Sequence, residues 1–143
     1  HGWRNHEFRM SVGKPWGAFH GDQARENEVF DFASSLDAEA AARSISMGSP
    51  QILGLNHNLC GFANALEMYE AFSASVEAQI RAFFGFVENA KLAHALQVRD
   101  FRTFAAGYNG PGNVEVYSKA LTDAYKAAVA IVSQEQTTVH KEK

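Results

Sequence analysis

The sequence predicts an all-α domain, on three observations. Apolar residues return at spacings of three and four along most of the chain, the mark of amphipathic helices. No segment sustains the apolar–polar alternation that a half-buried strand needs. Short stretches rich in Gly, Pro, Asn and Ser separate the helical runs, so consecutive helices pack as neighbours. At 143 residues the chain is one domain or most of one. It divides into a domain over residues 1–133 and a polar tail, 134–143.

Residues 1–21 mix turn formers with large rings: Gly2, Gly13, Pro15, Gly17 and Gly21 among Trp3, Phe8, Trp16 and Phe19. This reads as an irregular aromatic-rich segment pinned by its rings. Asp22 is a good N-cap for a helix over 22–36, with Val29, Phe30, Phe32, Ala33 and Leu36 at helical spacing. Glu26 and Glu28 read as solvated charges on its wet side. Asp37 caps an Ala-rich helix over 38–45. Gly48 breaks that helix, and Ser49-Pro50 reads as the start of a short new one carrying Gln51, Ile52 and Leu55. A helix over 63–72 follows. The next, over 75–89, is capped by Ser73 or Ser75 and turns Val76, Ile80, Phe83, Phe84 and Val87 inward. Residues 90–97 form a short helix. Asp100 caps another, with Phe101, Phe104, Ala105 and Tyr108 on one face. Asn109-Gly110-Pro111-Gly112 stops it. Asn113 caps the last helix, 114–133, with Tyr117, Leu121, Ala124, Ala128 and Val132 inward.

Composition narrows the function. Hydrophobic residues are 46% and charged residues 20%, which suits a packed core. A net charge of -3 gives no broad attraction to nucleic acid. Cys60 is the one cysteine, so intramolecular disulfides and multi-cysteine zinc sites are excluded. His1, His6 and His20 lack helical ligand spacing, and no metal or cofactor is expected. No apolar run approaches the length of a membrane span. The chain opens on His1 with neither an initiator methionine nor a signal peptide, and it reads as a processed product or a fragment. Oligomeric state is not legible.

Two breaks stand out from this helical pattern. One is Ser46-Met47-Gly48-Ser49-Pro50-Gln51-Ile52; the other is Tyr108-Asn109-Gly110-Pro111-Gly112. Each alone is an ordinary helix stop. Together they offer what a polysaccharide needs: glycines for close backbone approach, and Ser46, Gln51 and Asn109 for hydroxyl and acetamido groups. Tyr108 adds a flat face and a phenol. Neither break reads as core, and the two are expected to face each other across a groove.

The run Ser44-Ile45-Ser46-Met47-Gly48-Ser49-Pro50-Gln51-Ile52-Leu53-Gly54-Leu55-Asn56-His57 resembles the central motif of the N-acetylmuramidase domain of phage-endolysin type, within the lysozyme-like and lytic-transglycosylase-like superfamily. Phe19-His20-Gly21-Asp22-Gln23, Phe72-Ser73-Ala74-Ser75 and Phe104-Ala105-Ala106-Gly107-Tyr108-Asn109-Gly110 are similar to its flanking pieces. The resemblance covers about residues 3–128. It implies a lysozyme-like helical fold that cleaves peptidoglycan between N-acetylmuramic acid and N-acetylglucosamine, acting at the bacterial cell wall or periplasm. It implies glycan contacts at Ser46, Gln51, Tyr108 and Asn109. The family carries its catalytic glutamate in an N-terminal Glu-x-His segment. The local match here, Arg4-Asn5-His6, has arginine in place of the acid, so the domain reads as N-terminally truncated.

Glycoside cleavage needs a carboxylic acid held protonated in an apolar setting. Glu7, among Trp3 and Phe8, is the candidate. Glu39 sits on an Ala-rich helix with no evident pocket. Three functions stay open: a muramidase, a peptidoglycan-binding module without the catalytic glutamate, and a helical interaction module of another kind.

Overall fold

The computed structural model describes the backbone at residues 2–3, 6–7 and 22–141, and side chains from 22 to 133. Two short strands, β1 (Gly2–Trp3) and β2 (His6–Glu7), pair antiparallel with Gly2 opposite Glu7. The other positions of the aromatic-rich segment lie outside the described residues. From Asp22 onward the chain is all-α but for one small hairpin. It divides into two units, residues 1–58 with 62–76 and residues 59–61 with 77–143.

In the first unit the acidic caps act as the sequence predicts. The Asp22 carboxylate accepts from the Arg25 N–H at 2.9 Å and starts α1 (Gln23–Leu36). The Asp37 N–H closes α1 on the Ala33 carbonyl, while its carboxylate accepts from Ala40 N–H at 3.0 Å and starts α2 (Ala38–Ser44). These bonds satisfy donors that the first helical turn leaves without partners. Ala41 and Ala42 of α2 are buried. The next helix, α3 (Ala65–Ala74), lies two residues beyond the predicted bounds, because Asn64 is its cap. Asn64 accepts from Glu67 N–H, and the Glu67 carboxylate accepts from Ala63 N–H. Ser73 is no cap for the helix that follows: its hydroxyl donates back to the Tyr69 carbonyl.

The helix expected at Pro50 does not form. Strands β3 (Ser46–Met47) and β4 (Ile52–Leu53) pair antiparallel, Ser46 opposite Leu53 and Met47 opposite Ile52. Gly48 and Gln51 both take left-handed backbone, at φ 69° and 54°. The Gln51 N–H donates to the Gly48 carbonyl at 3.1 Å, closing the turn. A left-handed glycine reverses the chain, and pairing then buries Met47 and Ile52 on one face. A helix starting at Pro50 would not place those two side chains opposite each other. A single 3-10 turn, Gly54–Asn56, follows. Two residues of the break, Met47 and Ile52, are therefore core, contrary to the sequence expectation.

The second unit is built from α4 (Val76–Asn89), α5 (Ala93–Gln97), α6 (Phe101–Asn109) and α7 (Val114–Lys141). Its core takes Cys60, Ala82, Phe86, Val87, Leu92, Ala95, Phe104 and Ala105. The inward face predicted for α4 is offset. Val87 is buried and Phe83 is half-buried, but Val76, Ile80 and Phe84 are 64%, 54% and 56% exposed. The cause is Tyr108, whose ring gathers Phe83, Phe86 and Phe104 at centroid distances of 5.7, 5.2 and 5.4 Å. That cluster rotates α4 towards its 82/86 face.

The helix ends expected at 89 and 97 are where the structure has them, and neither uses glycine. After α4, Lys91 is left-handed at φ 62°, Leu92 N–H reaches the Val87 carbonyl, and Lys91 N–H reaches that of Glu88. After α5, Arg99 at φ 61° repeats the pattern, with Asp100 N–H on Ala95 and Arg99 N–H on Leu96. Both are Schellman ends. The last helix, α7, packs along α6 and runs through the predicted tail to Lys141. Its expected inward residues are not buried: Tyr117 and Val132 are 42% and 52% exposed. Among the described residues no helix is long and apolar enough to cross a membrane.

Candidate functional site

The hairpin is held in place from beneath by close packing. A Cβ on Gly54 would lie 2.0 Å from the Ala42 carbonyl oxygen, so α2 and the 3-10 turn meet backbone to backbone. Gly54 N–H also donates to the Ile45 carbonyl at 2.9 Å. Above the buried Met47–Ile52 pair, Ser46 and Gln51 are exposed. The Gln51 side-chain amide donates to the Gly48 carbonyl at 2.9 Å, which holds it against its own loop.

Ser46 and Gln51 line one cleft of about 560 Å³, wholly within the first unit. Its size falls in the usual range for small-ligand sites. The opposite rim comes from α1, through Gln23, Glu26 and Asn27. Gln23 donates its side-chain amide to Asn27 at 2.9 Å, one turn on. Phe30 and Tyr69, both half-buried, also line the cleft and pack ring on ring at 4.8 Å with 35° between planes. Rings beside a rim of amides, a hydroxyl and a carboxylate match the two sides of a pyranose: C–H faces stack on aromatic surface, and hydroxyl and acetamido groups bond to the rim.

The α1 rim and the Phe30–Tyr69 pair escape sequence reasoning, although a signal was there. Gln23, Glu26, Asn27 and Phe30 are spaced three, four and seven apart, and so share one face of α1.

Glu7 has its backbone in β2, and its side chain lies outside the described residues. Tyr108 and Asn109 belong to the second unit. Tyr108 is half-buried in its phenylalanine cluster, and burial, with Cys60 nearby, pushes its phenol up to about 12. Asn109 is exposed and ends α6. Among the described residues no group of three metal-ligating side chains occurs.

Glu39 has a structural task. Its two carboxylate oxygens accept from Ala65 N–H at 3.1 Å and Leu66 N–H at 2.9 Å, at the start of α3. These bonds, the first larger than the second, hold its carboxyl below the usual range, with a smaller contribution from His57 and Arg43. A general acid needs the opposite shift. Glu39 shares a second cleft, of about 440 Å³, with Arg43, His57 and Asn64. His57 Nδ1 lies 3.0 Å from the Phe62 carbonyl oxygen. That contact assigns the proton to Nδ1, so this motif residue also braces the turn.

No curated relative matches the chain. A family model does. The segment it matches runs through both units and contains the whole hairpin and its cleft. Matching the N-acetylmuramidase model over residues 4–129, the chain belongs to that family of peptidoglycan hydrolases, with its all-α, lysozyme-like architecture.

Proposed function

We propose that the domain cleaves the glycan strand of peptidoglycan between N-acetylmuramic acid and N-acetylglucosamine, in lysis of the bacterial cell wall. The observation that carries this is the cleft beside the hairpin, where residues of the central motif, Ser46 and Gln51 among them, meet an aromatic pair and a polar helix rim. In this reading Ser46 and Gln51 bind sugar hydroxyl and acetamido groups, and Tyr108 and Asn109 also contact the glycan. Glu7 is the proposed general acid, protonating the leaving glycosidic oxygen.

The test is release of new reducing ends from purified peptidoglycan. Glu7→Gln removes cleavage but keeps binding. Cleavage undiminished in Glu7→Gln refutes its role. Absence of both cleavage and cell-wall binding in the wild-type protein refutes the glycan reading altogether.

A second reading, a peptidoglycan-binding module without turnover, is favoured by one observation. Glu39, the carboxylate nearest in sequence to the hairpin, is bound to the start of α3 and held away from the protonated form a general acid needs. This reading predicts co-sedimentation with insoluble cell wall and no reducing ends at any pH.

A further inference from the structure

The second cleft of the first unit, about 440 Å³, brings an acid and a base together without pairing them closely. Glu39 and Arg43 both line it, one turn apart on α2. Opposite charges at that spacing commonly bond to each other. Here Glu39 turns its oxygens to the start of α3 instead, and Arg43 is a minor influence on its carboxyl. A carboxylate accepts about four hydrogen bonds, so Glu39 keeps acceptor capacity beyond these two. His57 sets its Nδ1 proton against the Phe62 carbonyl, which leaves Nε2 as a further acceptor. Asn64 uses its side-chain oxygen to cap α3, which leaves its amide nitrogen as a donor on the same cleft as the Arg43 guanidinium. Ala63 and Leu66 add an apolar wall.

Such a set suits a ligand with an ammonium and a carboxylate on one carbon. The ammonium donates to Glu39 and His57, and the carboxylate accepts from Arg43 and Asn64. Peptidoglycan stems carry that group where their third residue is a diamino acid whose far end is a free amino-acid centre. The position of the cleft fits a stem. Arg43 lines it while the next residue, Ser44, lines the hairpin cleft, and Leu66 and Tyr69, one turn apart on α3, divide in the same way. Three extended residues span about 10 Å, enough to pass from one cleft to its neighbour. Resting on the peptidoglycan reading above, we propose that the second cleft binds the zwitterionic end of a stem diamino acid. Sugar and stem are then held on the two sides of one helix pair, α2 and α3.

The test is titration calorimetry with two N-acetylated tripeptides, L-Ala–γ-D-Glu followed by meso-diaminopimelate or by L-lysine, each amidated at the main-chain carboxyl of the third residue. The lysine probe keeps the far ammonium and lacks the far carboxylate. Wild-type protein is expected to bind the diaminopimelate probe about tenfold more tightly. Arg43→Gln should narrow the gap to less than about threefold. It should leave affinity for tri-N-acetylglucosamine unchanged, because Arg43 does not line the hairpin cleft. Free glycine, a zwitterion without a stem, should bind at least about tenfold more weakly than the diaminopimelate probe. Glycine binding as tightly would assign the cleft to free amino acids and overturn the proposal. Equal affinities for the two tripeptides, or a gap that Arg43→Gln leaves unchanged, also overturn it. Binding of tri-N-acetylglucosamine but of neither tripeptide overturns it and leaves the glycan reading standing, whereas binding of none of the three overturns both.

Discussion

Replacing Gly54 with alanine adds one methyl group at the point where the hairpin rests on α2. An ideal Cβ there lies 2.0 Å from the Ala42 carbonyl oxygen and 2.9 Å from both the Ala42 carbonyl carbon and Met47 Cε. Real Cβ atoms keep at least about 3.0 Å, so roughly 1 Å of separation must be found. The methionine tip can swing away, but the Ala42 carbonyl cannot. Ala42 is fully buried within α2, and Gly54 is tied to Ile45 by its own N–H. The strain therefore passes into backbone, and overpacking of this kind costs about 3 kcal/mol. At a urea slope of about 2 kcal/mol/M the midpoint falls by about 1.5 M. The shift also moves Ser46 and Gln51 relative to the α1 rim, so affinity for tri-N-acetylglucosamine falls with stability. Gly107→Ala is the control. Its Cβ would meet a Leu92 Cδ2 at 2.4 Å, the far end of a flexible side chain, in an exposed helix where alanine gains about 1 kcal/mol over glycine. Gly107→Ala should stay within about 1 kcal/mol of wild type. A Gly54→Ala protein within about 0.5 kcal/mol of wild type, or a Gly107→Ala protein as damaged as Gly54→Ala, would refute the reasoning.

Other changes follow from the same geometry. Glu39 has a lowered carboxyl, so it contributes stability above its unfolded value near 4.5, and that contribution is lost as pH falls through the folded value. Glu39→Gln should flatten the acid limb of a Tm–pH profile; an unchanged limb would count against the α3 anchor. Lys91→Gly relieves a left-handed non-glycine helix end and should raise stability by about 0.5–1 kcal/mol in urea titration. Tyr108→Ala empties the ring cluster and should cost about 3–5 kcal/mol, against about 1 for Tyr108→Phe; equal costs would show that the phenol, not the ring, is what matters. Burial pushes the Cys60 thiol up to about 11, so native protein should resist alkylation near pH 8 that the unfolded chain undergoes rapidly.

What the sequence reveals depends on how local the cause is. Asp22, Asp37 and Asp100 act within three residues, and each caps the helix predicted for it. The central break was visible because Gly48, Pro50 and Gln51 interrupt helical spacing, but its form was not. A helix start and a four-residue turn share the same residues, and the choice falls to Met47 and Ile52 finding the core together. The inward face of α4 was misplaced for a similar reason: Phe83, Phe84 and Phe86 look alike by spacing, and Tyr108, more than twenty positions on, decides between them. The ends of α4 and α5 are legible at 89 and 97, but the left-handed Lys91 and Arg99 that close them carry no glycine signal. Three phenylalanines pack against the Tyr108 ring, so loss of binding in Tyr108→Ala alone would not identify a sugar contact. Tyr108→Phe separates the two roles.

The hairpin shows how a site can be specified by the packing beneath it. Side chains on a strand alternate between two faces, so a slip of one residue exchanges them. Met47 and Ile52 are 5% and 3% exposed, while their neighbours Ser46 and Leu53 point outward. A slip would expose both apolar side chains and bury Ser46, at a cost of about 3–6 kcal/mol from the two apolar groups alone. The core thus sets the register that presents Ser46 and Gln51 to the cleft. Substituting Ile52 with a polar residue should abolish glycan binding although Ile52 is not among the residues that line the cleft. Conservative Ile52→Val, costing about 1 kcal/mol, should preserve it. If a polar residue at position 52 left binding intact in a folded protein, the register would have to be held by the turn alone.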